Sequence, residues 1–147
     1  MIGLFVFPLR VAVVLAADYW PLFERGVWAS LTSPGAAFYH PLWAPVLLYE
    51  VFCNVAFVAF DLALLVLLFK RARRFPAAFI AFALLNLFFV VSDAALGWQI
   101  PAVAARGLEG FATEIGRSLA VVAIWVPYML VSKRVRNTFR AGPAKSE

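Results

Sequence analysis

Six polar side chains interrupt otherwise apolar stretches of this 147-residue chain: Arg10, Glu50, Asn54, Asp61, Asn86 and Asp93. An ionisable group in hydrocarbon costs roughly 2.5 kcal/mol or more on insertion scales, so each one needs a partner or a polar cavity. Spacing sorts them. Glu50, Asn54 and Asp61 recur at offsets of four and seven, which places them on one helix face, and Asn86 and Asp93, seven apart, share a face of another. Glu50 falls about one to two turns inside its stretch and Asp93 about one turn inside the end of its own. Arg10 lies roughly 10 Å below the end of the first stretch, and Arg117 opens the last stretch from that same side. Arg10, Glu50, Asn54, Asp93 and Arg117 are therefore predicted to meet as an intramembrane polar cluster. The guanidinium fork matches both oxygens of a carboxylate, which suits such a meeting. The cluster either fixes helix register or holds a ligand or ion, and the residues leave both roles open. Asp61 is deep enough to be protonated or hydrogen-bonded, and Asn86, at similar depth, is the expected partner in a second polar pair.

Other chemistry is thin. His40 is the single histidine and Cys53 the single cysteine, so neither a metal-ligand cluster nor an internal disulfide is expected. No phosphate-binding loop, dinucleotide fingerprint or metalloprotease motif is present in the sequence. A dyad of His40 with Ser30 or Ser33 is the nearest approach to a hydrolytic arrangement. The expectation is a non-enzymatic protein without cofactor or metal.

These residues must be positioned by membrane helices. The chain is 65% hydrophobic and 14% charged, with a mean hydropathy of +0.89. Soluble domains are about half apolar and a quarter charged, and a chain this short could not bury so much apolar surface in water. Sized against a helix rise of about 1.5 Å and a hydrocarbon core of about 30 Å, the apolar runs predict helices over 1–17, 43–69, 76–96 and 111–132. The fold class expected is all-α: a polytopic membrane protein, a four-transmembrane-helix bundle forming a single domain over 1–140, with a flexible tail over 141–147. The net charge of +5 is not read as nucleic-acid binding, because the cations flank apolar runs. Lys70, Arg71, Arg73 and Arg74 fill one connection, and Lys133, Arg134, Arg136, Arg140 and Lys145 follow the last run. The positive-inside rule makes both basic segments, and hence both termini, cytoplasmic. The stretch from Asp18 to Leu42 is then an outer loop. Its Tyr19, Trp20, Phe23, Trp28, Phe38 and Tyr39 predict an aromatic-rich interfacial element.

The C-terminal run holds a second group of candidate residues. Trp125 and Tyr128 could anchor the helix at the inner interface, Pro127 removes a backbone donor, and Lys133, Arg134 and Arg136 can snorkel to phosphates. These are read as lipid or partner contacts.

Two stretches are more specific than hydrophobicity requires. One runs from Trp28-Ala29-Ser30-Leu31-Thr32-Ser33-Pro34-Gly35 to Tyr39-His40-Pro41-Leu42-Trp43-Ala44-Pro45, with Glu50 and Asn54 following. The other is Ile124-Trp125-Val126-Pro127-Tyr128 followed by Ser132-Lys133-Arg134-Val135-Arg136-Asn137-Thr138-Phe139. Together they resemble the DUF2569 family of small bacterial inner-membrane proteins over nearly the whole chain. The resemblance implies a multi-pass, four-helix protein of the bacterial inner membrane without an assigned biochemical role, so it transfers no site residue. Its members usually begin helix one with a Gly-Gly-Trp-Leu-like opening, whereas this chain starts inside the apolar run at Met1-Ile2-Gly3. An incomplete start is the expectation that accounts for the short first helix.

The leading expectation is an accessory or scaffold protein acting through membrane lipids, a membrane-protein partner or a homodimer. The alternative is a binding or transport protein for a small molecule or ion, working as a dimer through the polar cluster.

Overall fold

The computed structural model describes residues 13, 17, 19–21, 26–105 and 107–140. The expected helix over 1–17 falls almost wholly outside them, as does Arg10. The described residues form helices and turns with no strand. The elements are α1 (Val27–Thr32), α2 (Trp43–Phe69), α3 (Phe75–Gly97), α4 (Pro101–Ala104), α5 (Glu109–Val131) and α6 (Lys133–Arg140).

Three of these, α2, α3 and α5, are long and apolar enough to cross a membrane. Only 17%, 11% and 6% of their most apolar stretches is buried within the protein. That exposure would be untenable in water, and in lipid it is the normal state of a helix whose backbone bonds are all internal. The chain is a membrane protein by this criterion. Helix α3 is the middle of the three and packs against both others, whereas α2 and α5 barely meet.

Local sequence sets the ends. At the close of α2, Arg71 N–H donates to the carbonyl of Leu68 and Ala72 N–H to that of Leu67, at 3.0 and 2.9 Å. This paired closure puts Arg71 in the left-handed region, at φ 49°, where glycine is the usual occupant. The turn is short, and Pro76 in the first turn of α3 loses no helical bond there. Between α4 and α5, Gly107 at φ 82° supplies the reversal.

Helix α5 continues through Pro127 to Val131, and the chain then bends. Ser132 is extended, and its Oγ accepts from Val135 N–H at 3.4 Å, a long bond in the N-cap position of α6. Val135 and Phe139, four residues apart, are the buried side of α6. They join Leu64, Phe75, Phe79 and Met129 in one cluster of buried hydrophobic residues. Phe139 stacks on Phe75 with centroids 4.7 Å apart. The segment after the last span is thus a docked amphipathic helix.

Candidate functional site

At the end of the bundle opposite that cluster, α2 and α3 are joined by polar contacts between spans. Ser92 Oγ donates to the Phe89 carbonyl at 2.9 Å, so the 2.7 Å contact between Tyr49 and Ser92 has the tyrosine hydroxyl as donor. The Tyr49 ring also lies 5.5 Å from that of Phe89. Because this bond crosses helices in a medium without competing water, we expect Tyr49→Phe to lower stability by about 1 kcal/mol. Equilibrium unfolding in mixed micelles measures it, and an unchanged midpoint would mean the bond contributes nothing.

One residue further along each helix stand Glu50 and Asp93. Their carboxyls come within hydrogen-bonding and electrostatic range of each other. Glu50 Oε2 also accepts from the Tyr19 hydroxyl, while Asp93 Oδ1 is buried with no donor among the described residues. Ionised carboxylates only accept. Two like charges at this range in a medium of low dielectric repel, so a nearby cation would be favoured. Beside this pair an open cavity of about 950 Å³ extends between α3, α4 and α5. Phe89 and Asp93 line it from α3, Val103 from α4, and Glu109, Phe111 and Glu114 from α5.

The predicted cluster is thus assembled only in part. Glu50 and Asp93 meet. Asn54 turns along its own helix, and its Nδ2 donates to the Glu50 carbonyl at 2.9 Å. Arg117 does not reach the carboxyl pair. It bonds Glu114 on its own helix at 3.1 Å, with the two side chains 55% and 46% exposed. A partner one helical turn away is met with less loss of side-chain freedom than one on another helix. Arg10 lies outside the described residues.

The expected pair of Asp61 and Asn86 is not formed. Asn86 Oδ1 instead accepts from Ser118 Oγ at 3.4 Å, which ties α3 to α5. Asp61 is fully buried, and neither carboxyl oxygen has a hydrogen-bond partner among the described residues. Register explains the difference, since α5, not α2, presents its hydroxyl to the Asn86 level.

Trp125 is turned inward, edge-on to Phe79 with centroids 6.4 Å apart, and Tyr128 packs against it at 5.7 Å. Lys133, Arg134 and Arg136 are exposed. Ser30 Oγ donates to the Val27 carbonyl at 2.7 Å, and His40 Nδ1 accepts from Leu42 N–H at 3.3 Å, so each serves a local turn. Tyr19, Tyr49 and Ser92 are site residues that sequence spacing did not single out. The pairing of Tyr49 with Glu50 and of Ser92 with Asp93 in sequence was the available signal. No group of three or more metal-binding side chains occurs among the described residues.

No curated protein and no solved structure matches the chain. One family model does, over residues 1–140, and its description is "Protein of unknown function (DUF2569)".

Proposed function

We infer for this chain, which belongs to the DUF2569 family, a binding role in the membrane: the cavity beside Glu50 and Asp93 takes a small organic cation, of the ammonium class. The observation that carries this is Asp93, which lines a cavity of about 950 Å³ together with Glu109 and Glu114 and whose carboxyl lies within interaction range of that of Glu50. An organic ammonium supplies N–H donors and a positive charge to the acidic lining of that cavity. Phe89 and Phe111 add aromatic faces for its charge and apolar body. Glu109 extends the acidic lining, while Glu114 is already engaged by Arg117.

Loop charge supports a topology in which the cavity opens to the outer side of a bacterial inner membrane and the basic turn faces the cytoplasm. Four helices are few for a passage of their own, so capture at the outer face suits one copy and transport would require a dimer. An accessory role through lipid contacts draws its support from α6, at the other end of the molecule.

The test is a thermal-shift titration of the detergent-purified protein with benzylammonium. We expect a saturable rise in Tm, and at least a tenfold weaker response in Asp93→Asn and Glu50→Gln, equivalent to about 1.4 kcal/mol. Glu109→Gln should show a smaller loss, and Thr113→Ala none. A response that is absent, or undiminished in Asp93→Asn, would sink the reading.

A further inference from the structure

At the basic end of the bundle, four cations of the α2–α3 turn, Lys70, Arg71, Arg73 and Arg74, are all exposed. Three more, Lys133, Arg134 and Arg136, are exposed on α6. The fold brings the two sets together. Phe75 follows Arg74 directly, and its ring is stacked on that of Phe139 in α6. Val135, between Arg134 and Arg136, is buried in the same cluster. With Val135 and Phe139 turned in, the cations of α6 occupy its outward side, next to the turn.

Nothing acidic among the described residues neutralises this surface. Glu50, Asp93, Glu109 and Glu114 belong to the opposite end, and Asp61 is buried roughly 12 Å along α2 from its last residue. Arg71 adds an independent sign. It holds a left-handed backbone position, at φ 49°, that disfavours any residue with a Cβ and is free for glycine. An arginine there sets its charge against local strain, and strain of this kind is kept where a site uses it.

We propose that the α2–α3 turn and α6 form one composite site for the phosphate of an anionic phospholipid. The height of the surface selects the lipid. Both cation sets start within one or two residues of the ends of apolar spans, at the level where headgroups lie. Charge complementarity favours phosphatidylglycerol-type headgroups over zwitterionic ones, whose own ammonium would meet the arginines. Docking of α6 is what joins the two halves, so the site exists only while Phe139 is seated on Phe75.

Native mass spectrometry of the full-length protein, from micelles containing equal amounts of phosphatidylglycerol and phosphatidylcholine, tests the assignment. Wild type is expected to retain phosphatidylglycerol selectively. Arg71→Gly should lower that retention about fivefold, the effect of one charge near an anionic surface, while its Tm stays the same or rises. Arg134→Gln/Arg136→Gln should remove most of the selectivity without any change in the turn. Absence of a preference for phosphatidylglycerol in wild type would overturn the proposal. So would full selectivity in Arg134→Gln/Arg136→Gln, which would confine binding to the turn. A rise in Tm with inorganic phosphate equal to that with phosphatidylglycerol would also overturn it, assigning the surface to a soluble anion.

Discussion

Asp61→Val is expected to make the protein more stable, by about 2 kcal/mol. Asp61 is fully buried in α2 and neither of its oxygens meets a donor among the described residues. Aspartate and an aliphatic residue at mid-helix differ by roughly 3 kcal/mol or more on insertion scales, and refitting the slightly larger valine costs about 1 kcal/mol. The transfer term wins. Asp61→Asn keeps the shape and a polar terminus, so it should fall between wild type and Asp61→Val. Equilibrium unfolding by sodium dodecyl sulfate in mixed micelles gives all three midpoints. A fall in stability for Asp61→Val would show that the carboxyl has a stabilising partner. A rise would mean that the residue is held at a cost, and intramembrane carboxyls held at a cost serve function rather than folding.

Asp61 also marks where sequence reasoning stopped. Its helix was legible, because a 27-residue apolar run can do little in lipid except form a helix. The same holds for α3 and α5. Levels along the helices are legible too: counts alone put Glu50 and Asp93 near the same end, and their carboxyls lie within interaction range. Rotation about the helix axes was not. Both α2 and α3 are apolar nearly all round, so no hydrophobic stripe says which side faces which neighbour. A rotation unknown to within a few tens of degrees decides whether Asn86 meets Asp61 or Ser118. For the same reason helix position alone sends Arg117 across the bundle, although Glu114 stands three residues away on its own helix. The cavity could not be read at all, since it arises from the turn at Gly107 and the short α4, which set the separation of α3 from α5.

Helix α6 was missed despite a usable signal. Its composition reads as a polar tail, yet Val135 and Phe139 are four residues apart in a segment otherwise made of cations and small polar groups. Two apolar residues on one side are too few to hold eight residues in place as an isolated helix. They hold it here because the Phe75 ring, at the start of the middle helix, offers a stacking surface at the right height.

Phe139→Ala should therefore release α6 while leaving the spans folded. Phe139 is 5% exposed, and truncating a buried phenylalanine costs about 3–5 kcal/mol. The whole protein does not bear that loss, because α6 can open locally. Taking about 3 kcal/mol for the docking contact, the open form rises roughly a hundredfold. Trypsin reads this directly at Lys133, Arg134 and Arg136, since cleavage of a segment that opens and closes quickly follows its open population. The expected result is cleavage after α5 accelerated by about two orders of magnitude, with the unfolding midpoint of α2, α3 and α5 little changed. Phe139→Leu should be intermediate, retaining burial but not the stacked ring. Equal cleavage of Phe139→Ala and wild type would mean that the contact with Phe75 is incidental and that lipid alone holds α6. Accelerated cleavage with loss of phosphatidylglycerol selectivity would tie both observations to one cause, a headgroup site that exists only when α6 is docked.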